Sequence, residues 1–126
     1  MSRRRVVVTG LGVISPVGNT VTEAWSNLIA GKSGIGPITR FDASNFAARI
    51  AGEVKDFDVS AYLSPKEARR MDVFIHYGMA AGIQAIRDSG IEVTEANADR
   101  IGINIGSGIG GLPMIEDTHN DFLGGG

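Results

Sequence analysis

The chain has 126 residues, 43% of them apolar, and a net charge of −2 from 12 basic and 14 acidic residues. These values are typical of one globular domain and exclude a disordered tail or a strongly basic nucleic-acid-binding protein, and the lack of cysteine excludes a disulfide scaffold. No apolar run approaches the ~18 residues that a membrane-spanning helix needs, and no hydrophobic signal-peptide segment follows the basic start. We therefore expect a cytosolic protein with neither a membrane nor a nucleic-acid partner.

The first predicted elements are a strand and a helix. Residues 6–9, three valines and a threonine, are apolar on both faces and predict a buried strand of a parallel sheet. Thr20 and Glu23 have the capping-box spacing. The apolar stripe that begins at Val21 then predicts an amphipathic helix that ends before Gly31. Strand, glycine turn and helix in this order indicate an α/β unit.

The middle of the chain is less regular until a long helix is predicted. Two glycines and a proline within residues 34–37 indicate turns, and the weak alternation of residues 49–54 predicts a short strand. Ser64 is followed by proline and, three residues on, by glutamate, which is a strong helix-start pattern. The apolar periodicity extends this helix to about Ser89, with Gly90 as its stop.

The middle of that helix carries four small residues, Gly78, Ala80, Ala81 and Gly82. Small residues at helical spacing allow another element to approach closely, and glycine inside a helix costs ~1 kcal/mol relative to alanine. Burial has to offset this cost, so the pattern predicts an internal helix.

The last third predicts a strand, a loop and a helix. Residues 100–106 place three isoleucines on one face of a strand and glycines on the other. Residues 106–111, with four glycines, predict a tightly turned or mobile loop. A helix is predicted over residues 112–123, with Pro113 in its first turn.

Three sequence features resemble catalytic or binding motifs but favour structural roles. Gly10-Leu11-Gly12 lacks the third glycine of a dinucleotide fingerprint, so a tight turn after the first strand is favoured over nucleotide binding. Ser107 lacks the first glycine of a nucleophile elbow and is predicted to be a turn residue. His76 and His119 have no metal-ligand spacing, so we expect structural or solvated histidines and no metal site.

A cluster of positive charge lies at the start of the long predicted helix. Lys66, Arg69 and Arg70 are spaced i, i+3 and i+4, which places all three on one helix face. Cations near a helix N-terminus are disfavoured by ~0.3–1 kcal/mol each. Two interpretations remain open from the residues alone: a solvated face, or a docking surface for an acidic partner.

Many short segments of the chain, taken together, resemble the β-ketoacyl-acyl-carrier-protein synthases, and most closely the elongating enzymes of bacterial fatty acid synthesis. The similarity begins with residues 4–12 and 15–19 and keeps the family's order to the glycine-rich loop. Its other segments are Gly31-Lys32-Ser33-Gly34-Ile35, Phe41-Asp42, Lys66-Glu67, Arg69-Arg70-Met71-Asp72, Phe74-Ile75, Tyr77-Gly78, Asp88-Ser89-Gly90 and residues 105–111.

The resemblance implies a thiolase-like layered α/β fold, of which residues 1–126 form only the N-terminal part of the first half. It also implies a homodimer without a cofactor that condenses malonyl-acyl carrier protein with an enzyme-bound acyl group, releasing carbon dioxide. A cysteine thiolate and two histidines perform this chemistry in the family, and all three are expected beyond residue 126. We therefore expect no catalytic residue within this chain and no activity of the chain alone.

Two sites are implied within residues 1–126. Lys66, Arg69 and Arg70 match the family's docking site for acyl carrier protein, and Ile109, flanked by Gly108 and Gly110, matches its acyl-pocket residue. Two other functions stay open: a non-catalytic chain-length-factor-type paralogue, which would differ at the nucleophile position, and a nucleotide-binding α/β domain.

Overall fold

The computed structural model of the chain describes residues 3–125. It contains four α-helices, one two-stranded sheet and two short 3₁₀ helices. The α-helices are α1 (Val21–Ile29), α2 (Pro65–Ala68), α3 (Val73–Ser89) and α4 (Leu112–Leu123), the strands are β1 (Ile35–Pro37) and β2 (Ile50–Gly52), and the 3₁₀ helices are Val59–Ala61 and Ala98–Arg100.

The first helix begins and ends where its sequence predicts. The Thr20 hydroxyl accepts a hydrogen bond from the Glu23 N–H at 3.2 Å, and the Glu23 carboxylate in turn accepts one from the Asn19 N–H at 2.8 Å. Gly31, just past the end of α1, has φ of +66°, a left-handed conformation that glycine adopts without strain. Ala24 is the buried residue of the predicted apolar stripe, and Trp25 stays exposed.

The strand predicted within residues 49–54 is confirmed as β2, and it has a partner that sequence reasoning missed. β1 pairs with β2 antiparallel, with Gly36 opposite Ala51 at the centre of the register. Residues 34–37 were predicted as turns, which is wrong for β1. Pro37 is compatible with a strand here because it lies at the end of a strand in a two-stranded sheet.

The single helix predicted from Ser64 to Ser89 is wrong, since the structure divides it into α2 and α3. The capping box at Ser64 and Glu67 is confirmed, but α2 ends after one turn. Asp72 has an extended backbone, with φ −71° and ψ 159°, and its carboxylate accepts a hydrogen bond from the Val73 N–H. Aspartate is a preferred N-cap because it satisfies a free N–H of the first turn, and a new helix therefore begins at Val73.

The two strands predicted over residues 6–9 and 100–106 do not form within residues 3–125. Residues 6–9 and 101–106 belong to no helix or sheet, and the β1–β2 pair is the one ladder in this part of the chain. Val6 is 95% exposed and Ile103 is 69% exposed. A strand needs a neighbouring strand for its backbone hydrogen bonds, and none of the described residues supplies one.

Gly10 and Gly12 lie against the backbone of α3, where the sequence had favoured a tight turn. A Cβ on Gly12 would overlap the Ala81 carbonyl oxygen, and a Cβ on Gly10 would lie 2.6 Å from the Ser89 nitrogen. Residues 9–14 form no turn, so the turn interpretation is wrong, and both glycines instead pack closely against α3. The predicted close approach to the small residues of α3 is confirmed, and Ala80 on this helix is fully buried.

Side chains of α3 also accept hydrogen bonds from the backbone of residues 10–13. The Leu11 N–H donates to Asp88 at 2.8 Å, and the Val13 N–H donates to Gln84 at 3.2 Å. Gln84 also donates to the Tyr62 hydroxyl at 2.8 Å. These hydrogen bonds fix residues 10–13 along α3 without a sheet.

The helix predicted over residues 112–123 is confirmed as α4, with Pro113 in its first turn. None of its residues is buried, and its apolar side chains are among the exposed ones. Within the described part of the chain, no helix is both long and apolar enough to cross a lipid bilayer.

Candidate functional site: an apolar cavity, a glycine-rich loop and a basic segment

An apolar cavity of about 510 Å³ lies where α3 meets two extended segments. Its walls come from one face of α3 and from two other segments; the lining residues are Phe74, Ile75, Tyr77, Gly78 and Met79 of α3, with Ile14, Ile105, Gly106 and Ser107. The backbone of α3 is accessible here because Gly78 has no side chain, and a Cβ at this position would lie 3.3 Å from Ile105. The cavity can therefore hold an apolar group, and its wall has few polar atoms that could bind a charged one.

The glycine-rich loop, residues 106–111, forms one border of this cavity. The Ser107 hydroxyl accepts a hydrogen bond from the Gly110 N–H at 3.2 Å across the loop, which confirms Ser107 as a turn residue. Gly110 has φ of +83°, and a Cβ there would lie 3.7 Å from the Phe74 ring. The loop is thus folded back on itself beside the start of α3.

None of the three residues expected in an acyl pocket is among those that line the cavity. Gly106 and Ser107 line the cavity, Gly110 lies beside Phe74, and the Ile109 side chain is 74% exposed. A Cβ on Gly108 would meet no atom within 4 Å. The structure therefore places Ile109, Gly108 and Gly110 next to the cavity, and their role in an acyl pocket stays a prediction.

The three expected docking residues lie close together on the surface but not on one helix. Lys66 is within α2, Arg69 is the C-cap of α2, and Arg70 lies in the turn that follows. The predicted shared helix face is therefore wrong, because α2 ends before Arg69. All three side chains are exposed. We call residues 66–70 the basic segment.

The one acidic residue of the basic segment, Glu67, is bonded to the start of α2. Its carboxylate accepts hydrogen bonds from the Ser64 hydroxyl at 2.6 Å and from the Ser64 N–H at 3.0 Å. These bonds hold the pKa of Glu67 below its ordinary value of 4.5. The carboxylate thus points at the helix N-terminus, and the cations of the basic segment face solvent.

Neither histidine has the surroundings of a catalytic or metal-binding group. The His76 ring nitrogen Nε2 is 2.9 Å from the Ala68 carbonyl oxygen, which ties α3 to the end of α2. His119 lies on the exposed helix α4. Among residues 3–125, no three histidine, cysteine or acidic side chains converge as metal ligands.

Sequence reasoning missed Asp72, which is the buried charged side chain of residues 3–125, with 8% of its surface exposed. One carboxylate oxygen accepts from the Val73 N–H, and the other accepts from the Met114 N–H at 3.2 Å. An aspartate directly before an apolar helical run is an N-cap signal. That signal could have revealed the start of α3, but not the contact with α4.

Comparison with known proteins gives one family profile and many relatives. The profile described as "Beta-ketoacyl synthase, N-terminal domain" matches residues 3–123. The 3-oxoacyl-[acyl-carrier-protein] synthases 2 of Vibrio harveyi and of Vibrio cholerae serotype O1 are each 61% identical over 123 residues. These residues cover 98% of this chain and 30% of each relative. The chain thus spans less than a third of the length of the curated relatives that it matches.

Solved ketosynthase structures also resemble this fold. The complex of a type II PKS acyl-carrier protein with its ketosynthase bound to the hexaketide matches with a TM-score of 0.77 and 33% identity, over 99% of this chain and 33% of that chain. The ishigamide ketosynthase/chain length factor matches with a TM-score of 0.65 and 42% identity, over 72% of this chain and 23% of that chain. The expected fold class, the N-terminal part of a thiolase-like layered α/β fold, is confirmed.

Proposed function

We propose, since the chain belongs to the β-ketoacyl synthase N-terminal domain family, that it acts as the N-terminal portion of a 3-oxoacyl-[acyl-carrier-protein] synthase in fatty acid elongation. The observation that carries this proposal is 61% identity, over nearly the whole chain, to two synthases of that name. The rest of the N-terminal domain and the C-terminal half would then come from residues beyond position 126.

The proposed reaction is a decarboxylative condensation. A cysteine thiolate, supplied by residues beyond this chain, takes an acyl group from its carrier protein, and malonyl-acyl carrier protein then loses carbon dioxide to give the enolate that attacks this thioester. The present chain holds no cysteine. Its contribution is therefore to bind the carrier protein and to shape the space for the acyl chain.

Docking of the carrier protein is proposed for the basic segment. Lys66, Arg69 and Arg70 are exposed and match the family's docking positions, and an acidic partner would gain both affinity and a faster encounter from them. The solved complex of a ketosynthase with its acyl-carrier protein is an example of this kind of partnership in a similar fold.

An acyl-binding role is proposed for the cavity and the glycine-rich loop. The cavity wall is apolar, and Ile109 lies on a loop in which glycines flank it on both sides. Such flanking glycines leave the backbone free to move the Ile109 side chain. We propose that Ile109 moves aside, between Gly108 and Gly110, when a long acyl chain enters.

A second candidate is a non-catalytic subunit that pairs with a true synthase. The similarity to the solved ishigamide ketosynthase/chain length factor supports this second candidate. The two candidates differ in the nucleophile, which lies outside these residues. The nucleotide-binding alternative is not proposed, because Gly10 and Gly12 pack against α3 and leave no room there for a phosphate.

A hybrid enzyme tests the proposed function. We define the complete synthase as this chain joined to the remaining residues of the Vibrio harveyi relative. We expect it to condense malonyl-acyl carrier protein with an acyl primer at a rate within about tenfold of the relative's own, a difference of ~1.4 kcal/mol. A folded hybrid that binds carrier protein but forms no 3-oxoacyl product would contradict this function.

The assembly and location of the protein are also proposals. We propose a cytosolic homodimer, which the family resemblance supports and with which the lack of cysteine is compatible. Light scattering on the complete synthase at micromolar concentration should give the mass of two chains. A monomeric mass at full activity would overturn the dimer.

A further inference from the structure

Asp72 contacts the N-termini of two helices at once. It is the N-cap of α3 through the Val73 N–H, and it also accepts a hydrogen bond from the Met114 N–H in the first turn of α4. The N-cap of α4 is Gly111, which has no side chain to satisfy that N–H. Asp72 therefore provides the cap that α4 lacks, and its negative charge lies at the positive ends of two helix dipoles.

The end of the glycine-rich loop rests on the same carboxylate. A Cβ on Gly111 would overlap the Asp72 carboxylate and lie 2.8 Å from the Asp72 Cβ. Only a residue without a side chain allows the backbone to approach this closely. The loop is thus fixed at its last residue, whereas Ile109, two residues earlier, is exposed.

The basic segment comes shortly before Asp72 in the chain. Arg70 is two residues before it in the chain, and the Asp72 carbonyl oxygen accepts from the Ile75 N–H at 2.9 Å. His76, one helical turn into α3, contacts the Ala68 carbonyl oxygen of α2. The start of α3, which Asp72 caps, is therefore tied to the end of α2 through His76. Asp72 in turn bonds to the start of α4.

We propose that Asp72 is a positioning residue that fixes the glycine-rich loop relative to the basic segment and thereby sets the acyl-chain lengths that the enzyme accepts. This inference rests on the proposed function. Releasing the Met114 N–H would loosen the anchored end of the loop. Long primers, which require an ordered movement of Ile109, would be affected more than short primers, which do not displace it.

The test compares long and short acyl primers on the complete synthase. Asp72→Asn retains the size of the side chain but loses one of its two acceptors, and Asp72→Ser retains the cap of α3 but is too short to reach Met114. In both variants we expect kcat/KM to fall more for a long primer than for a short one, so that the ratio of the two values falls about tenfold. That is the size expected for one lost hydrogen bond to a charged group. The KM for carrier-bound short primer should stay within about twofold.

Asp58→Asn is the matched control. Asp58 is an exposed aspartate that caps only its own 3₁₀ turn, accepting from the Ser60 N–H at 2.9 Å. We expect an unchanged primer ratio in this variant. Equal loss for both primers in the Asp72 variants, or no loss, would overturn the positioning role.

Two further measurements distinguish a failure of the proposed function from a failure of the Asp72 variants to fold. If the unmodified complete synthase forms no product, the proposed function fails, independently of Asp72. If the Asp72 variants do not fold, amide exchange in the unmodified protein decides instead: Met114 should exchange at least about tenfold more slowly than Leu112, the first residue of the same turn. Equal exchange rates, corrected for sequence, would overturn the proposal.

Discussion

Residues 10–90 and residues 91–125 differ in how they are held. In the first region, Gly10 and Gly12 pack on the α3 backbone, and the Asp88 side chain of α3 accepts a hydrogen bond from the Leu11 N–H. Each α-helix of this region also has a side-chain N-cap. In the second region, α4 has no buried residue and residues 101–106 have no strand partner among the residues described.

This difference shows which elements can form from local contacts. A helix satisfies its own backbone groups and needs only a cap and one packed face. A strand satisfies its backbone only against another strand, which can lie far away in the sequence. The apolar segments around Val6 and Ile103 therefore form no sheet among the described residues and remain exposed.

The largest effect is expected where the first region is packed most closely. Gly12→Val in the complete synthase should lower the free energy of unfolding by about 3 kcal/mol, because its side chain would overlap the α3 backbone. Gly36→Val is the matched control, since a Cβ there meets no atom within 4 Å, and it should change stability by less than about 0.5 kcal/mol. Urea unfolding measures both, and equal losses would remove the contrast between packed and open glycines.

The next largest effect is expected at Ile109, in the second region, on activity with long acyl primers. Ile109→Phe should reduce kcat/KM for long primers about tenfold, because the larger side chain overfills the space that a long chain needs. Ile109→Leu, which conserves volume, should retain activity within about threefold. Steady-state kinetics with primers of two lengths measures this, and an Ile109→Phe enzyme equally active on both would rule out the pocket role.

A smaller effect is expected at the basic segment. Arg69→Glu should raise the KM for carrier-bound substrate about fivefold at low salt, and the effect should shrink as added salt screens the charges. Arg100→Glu makes the same charge change on the 3₁₀ helix Ala98–Arg100, and should leave KM within about twofold. If the two reversals have the same effect, net charge and not a docking site explains the result.

The smallest effect concerns the pH dependence of the α2 capping box. The folded-state pKa of Glu67 is lowered by its hydrogen bonds with Ser64, so its stabilising contribution is present above the unfolded pKa, near 4.5, and is lost as the pH falls through the lower folded value. Glu67→Gln should reduce the slope of Tm against pH below about pH 5. Thermal unfolding between pH 3 and pH 7 measures this slope, and an unchanged slope would show that the bonds to Ser64 do not distinguish the two charge states.

The sequence predicted the elements whose signals are local. Thr20, Ser64 and Gly90 mark helix boundaries through caps and a left-handed glycine, and all three boundaries are confirmed. The small residues of α3 predicted close packing, which Gly12 supplies.

The remaining features depend on contacts between distant residues. Nothing near Asp72 in the sequence indicates that it binds Met114, 42 residues away. Apolar periodicity continues across Asp72, which explains why one helix was predicted in place of two. The direction of the Ile109 side chain depends on how the loop folds back on Phe74, which no local pattern encodes.

We expect this chain to shape substrate binding without carrying the acyl group. Intact mass spectrometry after incubation with acyl-acyl carrier protein tests this directly on two samples, the chain alone and the complete synthase. We expect the mass of one acyl group added per complete synthase chain and none added to the chain alone. An acyl adduct on the chain alone, or none on a folded complete synthase, would contradict this expectation.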